Sequence, residues 1–525
     1  MGLLVLLGLI LRSPTTPHEI GWDSFVVHLM ANSISEFGFA KWWIHPASII
    51  GSYPYSTSPS AVPFILSGIS QCTNIDMELT ILLYSMILGI FSIFGAYMIA
   101  GVIWNNDVFK FLVTFVLSTS QGALTKTTWT GNARTLFIIA LPIFIYVLLR
   151  TQSIKLRFSL LSCIIFGLLC VTHHYIYFVI FILFSYFIIV VLYTLKNYIK
   201  SVKISENFTN FAMLTTLLFM FVFSYFHRTL YWSDPGFSRT ISAGSSSFYF
   251  WVINIMLVQY VRYIGILIIF IFSGYVYLTF KENKKFEEWV LLMCIVSIVP
   301  LLFMPTYAKW FVLPFASLLI GLALTNLALA KKDIKKCKTT FLIIVLLSSV
   351  IFTGYYQYLH FLNDPDPFER YMEERTYIGG LWIRDNIDKN KNMIGESNIG
   401  TRVFSTSGIP TLTGVGAADL AYDFVDPSKF EVEKLGSYTS VETYIGDPYV
   451  LVNSRPTDWV VLHILDSDIN DKSGWAYQLI PEFNLSYFAE NKDISNTLSR
   501  SVQQTTDCIY DNGKIRVWDL DTSLE

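Results

Sequence analysis

Charged side chains are scarce in this sequence. Only 14% of its 525 residues are Asp, Glu, Lys or Arg, whereas 53% are hydrophobic. An ordinary soluble protein carries about a quarter charged residues, so the scarcity excludes a typical soluble globular chain. Several uncharged runs also approach the roughly 20 residues that a helix needs to cross a bilayer. The composition is that of a polytopic α-helical membrane protein.

The sequence also lacks an excess of either charge and any paired cysteine motif. The formal net charge is −2, which gives no basis for a nucleic-acid partner or a strongly basic membrane-binding surface. The six cysteines are scattered, and none of them has the spacing of a metal-ligand or redox pair. We interpret them as ordinary small apolar side chains.

Apolar runs predict about eleven membrane-spanning helices within a membrane domain of residues 1–357. The third run is short, which indicates a tilted or broken helix. The runs are residues 2–12, 79–103, 108–120, 133–149, 157–172, 175–195, 209–226, 258–280, 289–304, 310–330 and 340–357.

Short basic loops predict the orientation of these helices. Lys and Arg cluster at 150–157, 196–203, 281–285 and 331–338, all on one side of the predicted bundle. Because such clusters favour the cytoplasmic side, the outer loop 13–78 and the tail 358–525 are expected to be extracytoplasmic. The tail has the composition of a soluble mixed α/β domain: TYIGGLWIRDNI has helical spacing, and WVVLHIL (459–465) and KIRVWDL (514–520) are typical of strands. We expect any chemistry on this outer face.

The stretch GWDSFVVHLMANSISEFGF opens the outer loop. Its apolar residues recur at helical spacing over 23–37, which predicts an amphipathic helix at the membrane surface. Asp23 stands at the start of this helix. A carboxylate there can simply stabilise the helix N-terminus, or it can serve as a catalytic base or metal ligand.

Other ionisable residues fall in predicted outer segments. His173 and His174 interrupt a long apolar region; they either bond to local backbone or act in proton transfer, or in metal binding together with Asp23. Lys309 precedes a late span, where a lysine can also be an interfacial side chain. Further polar or aromatic candidates for ligand binding are Trp22, His28, Asn132, Arg134, Arg228, Asp234 and Arg239.

The order of these parts resembles the GT-C superfamily of polytopic glycosyltransferases, which includes oligosaccharyltransferase membrane subunits and protein O-mannosyltransferases. One anchor helix is followed by an outer loop with an acidic residue and an amphipathic helix, GWDSFVVHLMANSISEFGFAKW. A cation then opens a late span at YAKWF, and TGNARTLFIIALPIFIYVLLR is similar to archaeal relatives. The likeness covers most of residues 1–357 in architecture, but its motifs are short.

The resemblance implies a lipid-linked sugar donor, on polyprenyl or dolichyl phosphate, and a protein, lipid or glycan acceptor on the outer face of the cell membrane. By position, Asp23 matches the catalytic acid of the first loop, and Lys309 matches the cation at the donor phosphate. Arg228 and Arg239 are further phosphate candidates, and His173 and His174 could assist either group.

Two departures narrow this expectation. Residues 121–134 contain no Asp or Glu where oligosaccharyltransferases carry a second acidic motif, and their Trp-Trp-Asp signature is absent from the tail. The resemblance therefore implies transfer of a monosaccharide rather than of an oligosaccharide, and it leaves a divalent metal open.

Two other functional classes remain open at this point. A transporter or flippase of lipid-linked glycans would typically show internal repeats and broken helices at the membrane midplane. We find no clear repeat, and the ionisable residues lie at one predicted face. A non-catalytic membrane receptor or scaffold is the third class.

Overall fold

The structure, a computed structural model, describes most of the helical part of the chain and several strands near the C-terminus. The described residues are 1–14, 16–38, 61–151, 156–173, 175–198, 260–303, 309–329, 335–362, 372–388, 392–395, 402–403, 405–408, 411–413, 431–435, 438–442, 485–491, 507–513 and 515–519. The chain divides into two compact units. Unit 1 comprises Met1–Ser13, Ser85–Thr128 and Arg134–Asp364, and unit 2 comprises Pro14–Tyr84, Trp129–Ala133 and Pro365–Glu525.

Most of the described chain is helical. The α-helices, numbered here in chain order, are α1 (Gly2–Leu11), α2 (Trp22–Phe37), α3 (Ala61–Thr73), α4 (Met77–Ile103), α5 (Asp107–Thr119), α6 (Gln121–Thr127), α7 (Ala133–Arg150), α8 (Leu156–Thr172), α9 (Ile176–Tyr198), α10 (Tyr260–Ile264), α11 (Phe270–Phe280), α12 (Phe286–Ile298), α13 (Leu313–Leu329), α14 (Lys335–Leu362) and α15 (Glu374–Asn386). Two short 3₁₀-helices cover Ile266–Ile269 and Val299–Phe303.

Several helices have the length and composition of membrane spans. Among the described residues these are α4, α7 and the segment Phe178–Leu195 of α9, while α5 and α6 together form a fourth, bent candidate. Large apolar side chains such as Leu160, Ile164 and Phe187 are exposed on the shorter apolar helix α8 and on α9. Surfaces of this kind suit lipid rather than water, and the chain is an integral membrane protein. The total of about eleven spans stays a prediction.

Two of the expected spans are interrupted, and a third is bent. The run 258–280 breaks at Gly265, whose φ of +92° is accessible mainly to glycine. The run 289–304 changes to a 3₁₀-helix next to Pro300, which lacks the N–H that a continuing helix requires. The short third run continues through Ser120 into α6 with a bend of 56°, as the prediction of a broken helix allowed. The run 209–226 lies outside the described residues.

Close helix packing forms the core of unit 1. Gly274 of α11 approaches the backbone of Leu319 so closely that no Cβ would fit, and Gly321 faces Val113 of α5 in the same way. Small residues of this kind let helix backbones approach each other in a membrane, where association depends on packing. α13 is therefore a central helix of unit 1, between α5 and α11.

Unit 2 contains a mixed β-sheet. Its strands are β1 (Asn392–Gly395), β2 (Thr411–Thr413), β5 (Leu485–Asn491), β6 (Asp507–Asp511) and β7 (Ile515–Asp519), in the order β2-β1-β5-β7-β6, and a separate hairpin joins β3 (Glu431–Leu435) to β4 (Tyr438–Glu442). β1 runs parallel to β2 and β5, whereas β7 is antiparallel to β5 and β6. Ile383 of α15 packs against Ile515 and Val517 of β7 in a small apolar core, which also includes Ile387 and Val403.

The expected elements of the C-terminal tail are found in part. The segment TYIGGLWIRDNI is helical within α15, and KIRVWDL contains β7. The segment WVVLHIL at 459–465, expected to be a strand, lies outside the described residues. The domain bounds 1–357 and 358–525 stay predictions, and unit 2 also includes the described part of the outer loop.

A buried arginine fixes the end of α1 to the bent pair α5 and α6. The guanidinium of Arg12 is almost fully enclosed and donates to Thr127 Oγ1 at 2.7 Å, Ser118 O at 3.1 Å and Gly8 O at 3.0 Å. Ser118 and Thr127 lie on opposite sides of the bend at Ser120. Because Arg12 satisfies acceptors from both helices, it holds the bend in place.

We predict that Arg12→Lys destabilises the protein. Lysine keeps the charge but lacks the planar fork of donors, and each hydrogen bond to a charged group contributes about 1.5–3 kcal/mol. The midpoint of thermal unfolding in detergent should fall clearly for Arg12→Lys, while Arg157→Lys, at an exposed position on α8, should leave it unchanged. Equal midpoints for the two variants would show that Arg12 does not hold the bend.

Candidate active site

The N-terminus of α2 is built around a glycine. Gly21 is the N-cap residue, with φ +102° and ψ 135°, a conformation that residues with a side chain rarely adopt. Its carbonyl accepts from the backbone N–H groups of Ser24 and Phe25, so the helix begins without a side-chain cap. Asp23 lies in the first turn, where its charge favours the positive end of the helix.

The segment that precedes α7 is tied to this helix start by three hydrogen bonds within unit 2. The N–H of Ile20 donates to Trp129 O at 3.0 Å, and the N–H of Gly131 donates to Ser24 Oγ at 2.7 Å. The Asn132 amide then donates to Asp23 Oδ2 at 2.9 Å. The structure thus brings together two of the sequence-predicted candidates, Asp23 and Asn132.

Asp23 lies in the first turn rather than at the N-cap, so its charge can stabilise the helix N-terminus although it does not cap the helix. As a simple helix cap, Asp23 would occupy the N-cap position, which Gly21 occupies instead. The Asp23 carboxylate is half-buried and accepts a hydrogen bond from the side-chain amide of Asn132, which is itself buried. An amide donor of this kind orients one oxygen of the carboxylate.

Lys309 is placed in unit 1 beside two aromatic rings. Its ammonium donates to Tyr263 Oη at 2.9 Å and lies 5.4 Å from the ring centroid of Trp310. Residues 309–311 are helical and lie directly before α13. Lys126, which the sequence analysis did not single out, lies 5.1 Å from the same Trp310 ring. Two ammonium groups therefore flank one buried indole.

The other predicted site residues have varied outcomes. His173 is buried in unit 1, and its Nδ1 accepts from the N–H of Tyr175 at 3.2 Å, which leaves Nε2 as the protonated nitrogen of the neutral ring. Arg134 is half-buried in the first turn of α7. Trp22 opens α2, but its side chain lies outside the described part. Also outside it are His174, Arg228, Asp234 and Arg239.

Sequence reasoning named His28 only as a ligand-binding candidate and missed the group of buried acid–histidine pairs in unit 2 to which it belongs. His28 is buried, and its Nδ1 lies 2.5 Å from Oε1 of the fully buried Glu19. His18 bridges two carboxylates, with Nδ1 2.9 Å from Glu78 Oε1 and Nε2 3.1 Å from Glu374 Oε2. The only local signal was the pair His18 and Glu19 directly before α2, and their partners are remote in sequence.

The surroundings of both histidines favour the protonated form. Burial alone would lower the pKa of His18, but the hydrogen bonds and charges of Glu78 and Glu374 outweigh it and raise the pKa. Burial likewise opposes the charge of His28, and the charge and hydrogen bond of Glu19 raise its pKa. A neutral imidazole has a single N–H, so only imidazolium can donate to both carboxylates that His18 contacts.

Within the described part of the chain, the residues around Asp23 do not form a divalent metal site. No group of three or more His, Cys, Asp or Glu side chains converges on one point among the residues that the structure describes. The segment facing Asp23 supplies the Asn132 amide as a hydrogen-bond donor, not a second carboxylate. His174 lies outside the described residues, so the combination of Asp23 with His173 and His174 as metal ligands stays a prediction, and no step below uses a metal.

Solved structures with the same architecture span nearly the whole chain. An Archaeoglobus fulgidus oligosaccharyltransferase, solved with Zn and sulfate, matches 93% of this chain and 67% of its own at 13% identity and a TM-score of 0.55. The structure of AglB from the same organism, with an inhibitory peptide and a dolichol-phosphate, matches 93% of this chain and 68% of its own at 12% identity and a TM-score of 0.54. ArnT from Cupriavidus metallidurans, bound to undecaprenyl phosphate, matches 98% of this chain and 97% of its own at 11% identity and a TM-score of 0.55.

The fold is GT-C-like. No protein-family model and no curated protein matches the sequence. At identities of 11–13%, the likeness to the solved structures establishes the GT-C-like architecture that the sequence analysis predicted. The roles of individual residues rest on the geometry described above.

The histidines of this GT-C-like chain make its stability depend on pH. Because their folded-state pKa values lie above the ordinary value of about 6.5, their contribution is fully present below that value. It is lost as the pH rises through the raised values. We therefore expect the thermal unfolding midpoint to fall as the pH rises above about 6.5.

The control is the double variant His18→Gln/His28→Gln, which should unfold at a lower temperature and show a flatter pH profile. A wild-type midpoint that is constant over this range, or a double variant with the wild-type profile, would contradict the assignment.

Proposed function

We propose that the chain is a glycosyltransferase that transfers a sugar from a polyprenyl- or dolichyl-phosphate donor to an acceptor on the outer face of the membrane. The observation that carries this proposal is the Asp23 carboxylate, half-buried at the start of α2 and held by the Asn132 amide. The GT-C-like fold supports it, since structural neighbours with this fold were solved with dolichol-phosphate and undecaprenyl phosphate.

Asp23 is suited to act as the base. In the proposed reaction the acceptor hydroxyl attacks the anomeric carbon of the donor sugar while its proton passes to Asp23. A new carbon–oxygen bond forms as the bond between the anomeric carbon and the phosphate oxygen breaks. The Asn132 donor fixes the orientation of the carboxylate, and orientation of this kind contributes to the rate.

The leaving group requires cationic stabilisation, because the lipid phosphate departs with the electrons of the broken bond. Lys309 and Lys126 are the proposed cations. Both ammonium groups approach Trp310, and charge-assisted hydrogen bonds to phosphate are stronger than neutral ones. Trp310 and Tyr263 limit where the two side chains can move, so the cations are largely positioned before the donor arrives.

Monosaccharide transfer is the variant of this function that we favour. The segment 121–134 contains no Asp or Glu, whereas the resemblance to oligosaccharyltransferases implies a second acidic motif there. The outer loop and the C-terminal tail are proposed to be extracytoplasmic, with a protein, lipid or glycan as acceptor.

The proposed role of Asp23 as the base can be tested directly. Asp23→Asn removes the proton acceptor but keeps a group of the same shape, so transfer should fall by about 10²–10⁴-fold. The measurement is sugar transfer from a radiolabelled polyprenyl-phosphate donor by purified protein. Asp107→Asn is the matched control, because Asp107 also lies in the first turn of a helix but is exposed; it should keep wild-type activity. Full activity of a folded Asp23→Asn variant would exclude Asp23 as the base.

The second prediction concerns the phosphate. Lys309→Met and Lys126→Met should each raise KM for the donor or lower kcat, by about tenfold for one lost charge-assisted contact, and the double variant should be worse than either. Lys284→Met is the control, since Lys284 makes a comparable contact with Trp289 at 4.9 Å on the predicted cytoplasmic side. If Lys126→Met matches wild type while Lys309→Met is impaired, the assignment of Lys126 fails.

A further inference from the structure

Unit 2 contains a polar cavity of about 320 Å³. This volume lies at the lower end of the roughly 300–1,000 Å³ of ligand pockets in proteins. The cavity is bounded by α2, the start of α4, α15 and the segment 405–408. The residues that line it are His28, Asn32, Ser35, Asp76, Glu78, Tyr377, Leu381, Arg384, Thr406, Ser407 and Gly408.

The cavity is separate from the Asp23 site. Successive residues of an α-helix are about 100° apart, so His28, Asn32 and Ser35 project from α2 about 120–180° away from Asp23. α2 therefore presents its candidate base on one side and the cavity on the other.

The lining has the chemistry of a site for hydroxyl groups. Asp76 and Glu78 are acceptors, and Arg384 is a donor. Several hydroxyl groups and the Asn32 amide, which can both donate and accept hydrogen bonds, complete the wall. Leu381 contributes a large aliphatic side chain. A sugar hydroxyl donates and accepts at the same time, so it matches such a mixture, whereas a lipid or an aromatic ligand would leave these groups unpaired.

Buried groups are held in place around the cavity. Glu78 Oε1 accepts from His18 Nδ1 at 2.9 Å and from the N–H of Glu19 at 3.1 Å, and a carboxylate has further acceptor sites. Glu19 engages Nδ1 of His28, which leaves Nε2 as the ring nitrogen that can serve a ligand. Such fixed side chains reduce the entropy lost when a ligand binds.

The charges of the lining indicate which sugars fit. The lining carries two carboxylates, Asp76 and Glu78, and one guanidinium, Arg384. Behind them His18 is shared by Glu78 and Glu374, Asp385 contacts Arg384, and Glu19 matches the charge of His28, so carboxylates remain in excess. An anionic ligand would be repelled by the two carboxylates. We propose that this cavity binds one hexose-sized sugar unit, neutral or carrying an amino group. The site does not depend on the proposed transfer reaction and needs no lipid donor.

The test is saturation-transfer NMR with the full-length protein in a zwitterionic detergent that contains no sugar. The probes are methyl glucoside, methyl mannoside, N-acetylglucosamine, glucosamine and glucuronate. We expect a saturation-transfer signal from at least one neutral or amino sugar, and we expect glucuronate to bind at least about tenfold more weakly. The absence of a saturation-transfer signal from every neutral or amino sugar, or preferred binding of glucuronate, would overturn the proposal.

Variants locate the binding. Asp76→Asn/Arg384→Gln should weaken sugar binding by at least about tenfold. The amide oxygen introduced by Asp76→Asn can still accept from the N–H of Glu78, as the Asp76 carboxylate does at 3.0 Å, so the fold is preserved. Arg375→Gln, at an exposed position on α15 outside the lining, is the control and should bind as wild type.

Asp23→Asn separates this proposal from the proposed function. It should abolish transfer but leave sugar binding intact, because Asp23 lies on the other side of α2. Loss of sugar binding in Asp23→Asn alone would place the sugar at the Asp23 site and overturn the cavity assignment. Unchanged binding in the Asp76→Asn/Arg384→Gln variant would do the same, whatever the outcome for transfer.

Discussion

The hydrogen bond from Asn132 to Asp23 joins two segments that are 109 residues apart in the sequence. It is supported by the bonds of Ser24 to Gly131 and of Ile20 to Trp129. Together these contacts fix the first turn of α2 against the segment before α7. The candidate base therefore belongs to a fixed helix start rather than to a free loop, and the proposed chemistry depends on that constraint.

Buried charge recurs in both units and is matched by specific partners. In unit 1 the Arg12 guanidinium satisfies backbone and hydroxyl acceptors around the bend between α5 and α6. In unit 2 the carboxylate of Glu19 accepts hydrogen bonds from His28 and from the hydroxyl of Ser24. Unpaired buried charges are costly, so these contacts impose particular helix positions as well as contributing stability. The polar cavity of unit 2 adjoins the histidine–carboxylate group, which keeps its wall in a defined arrangement.

The sequence predicted elements whose signal is local. Helical spacing predicted α2, the helix α15 followed from its own pattern, and the short third run indicated the broken pair α5 and α6. Contacts between remote residues could not be read in this way. The partners of Asp23 and His18 depend on tertiary packing, so Asn132 was named only as a ligand-binding candidate and Glu78 was missed. The break at Gly265 was also missed, because one glycine in an apolar run does not by itself interrupt a helix.

The central claim is that this GT-C-like chain breaks the bond between a sugar and a lipid phosphate. The most direct measurement is to incubate the purified wild-type protein in vesicles with a doubly labelled polyprenyl-phosphate sugar and to follow the lipid and the sugar separately. The account predicts that free lipid phosphate accumulates in proportion to sugar bound to an acceptor. Recovery of intact donor, or movement of intact donor between the two leaflets without cleavage, would contradict it.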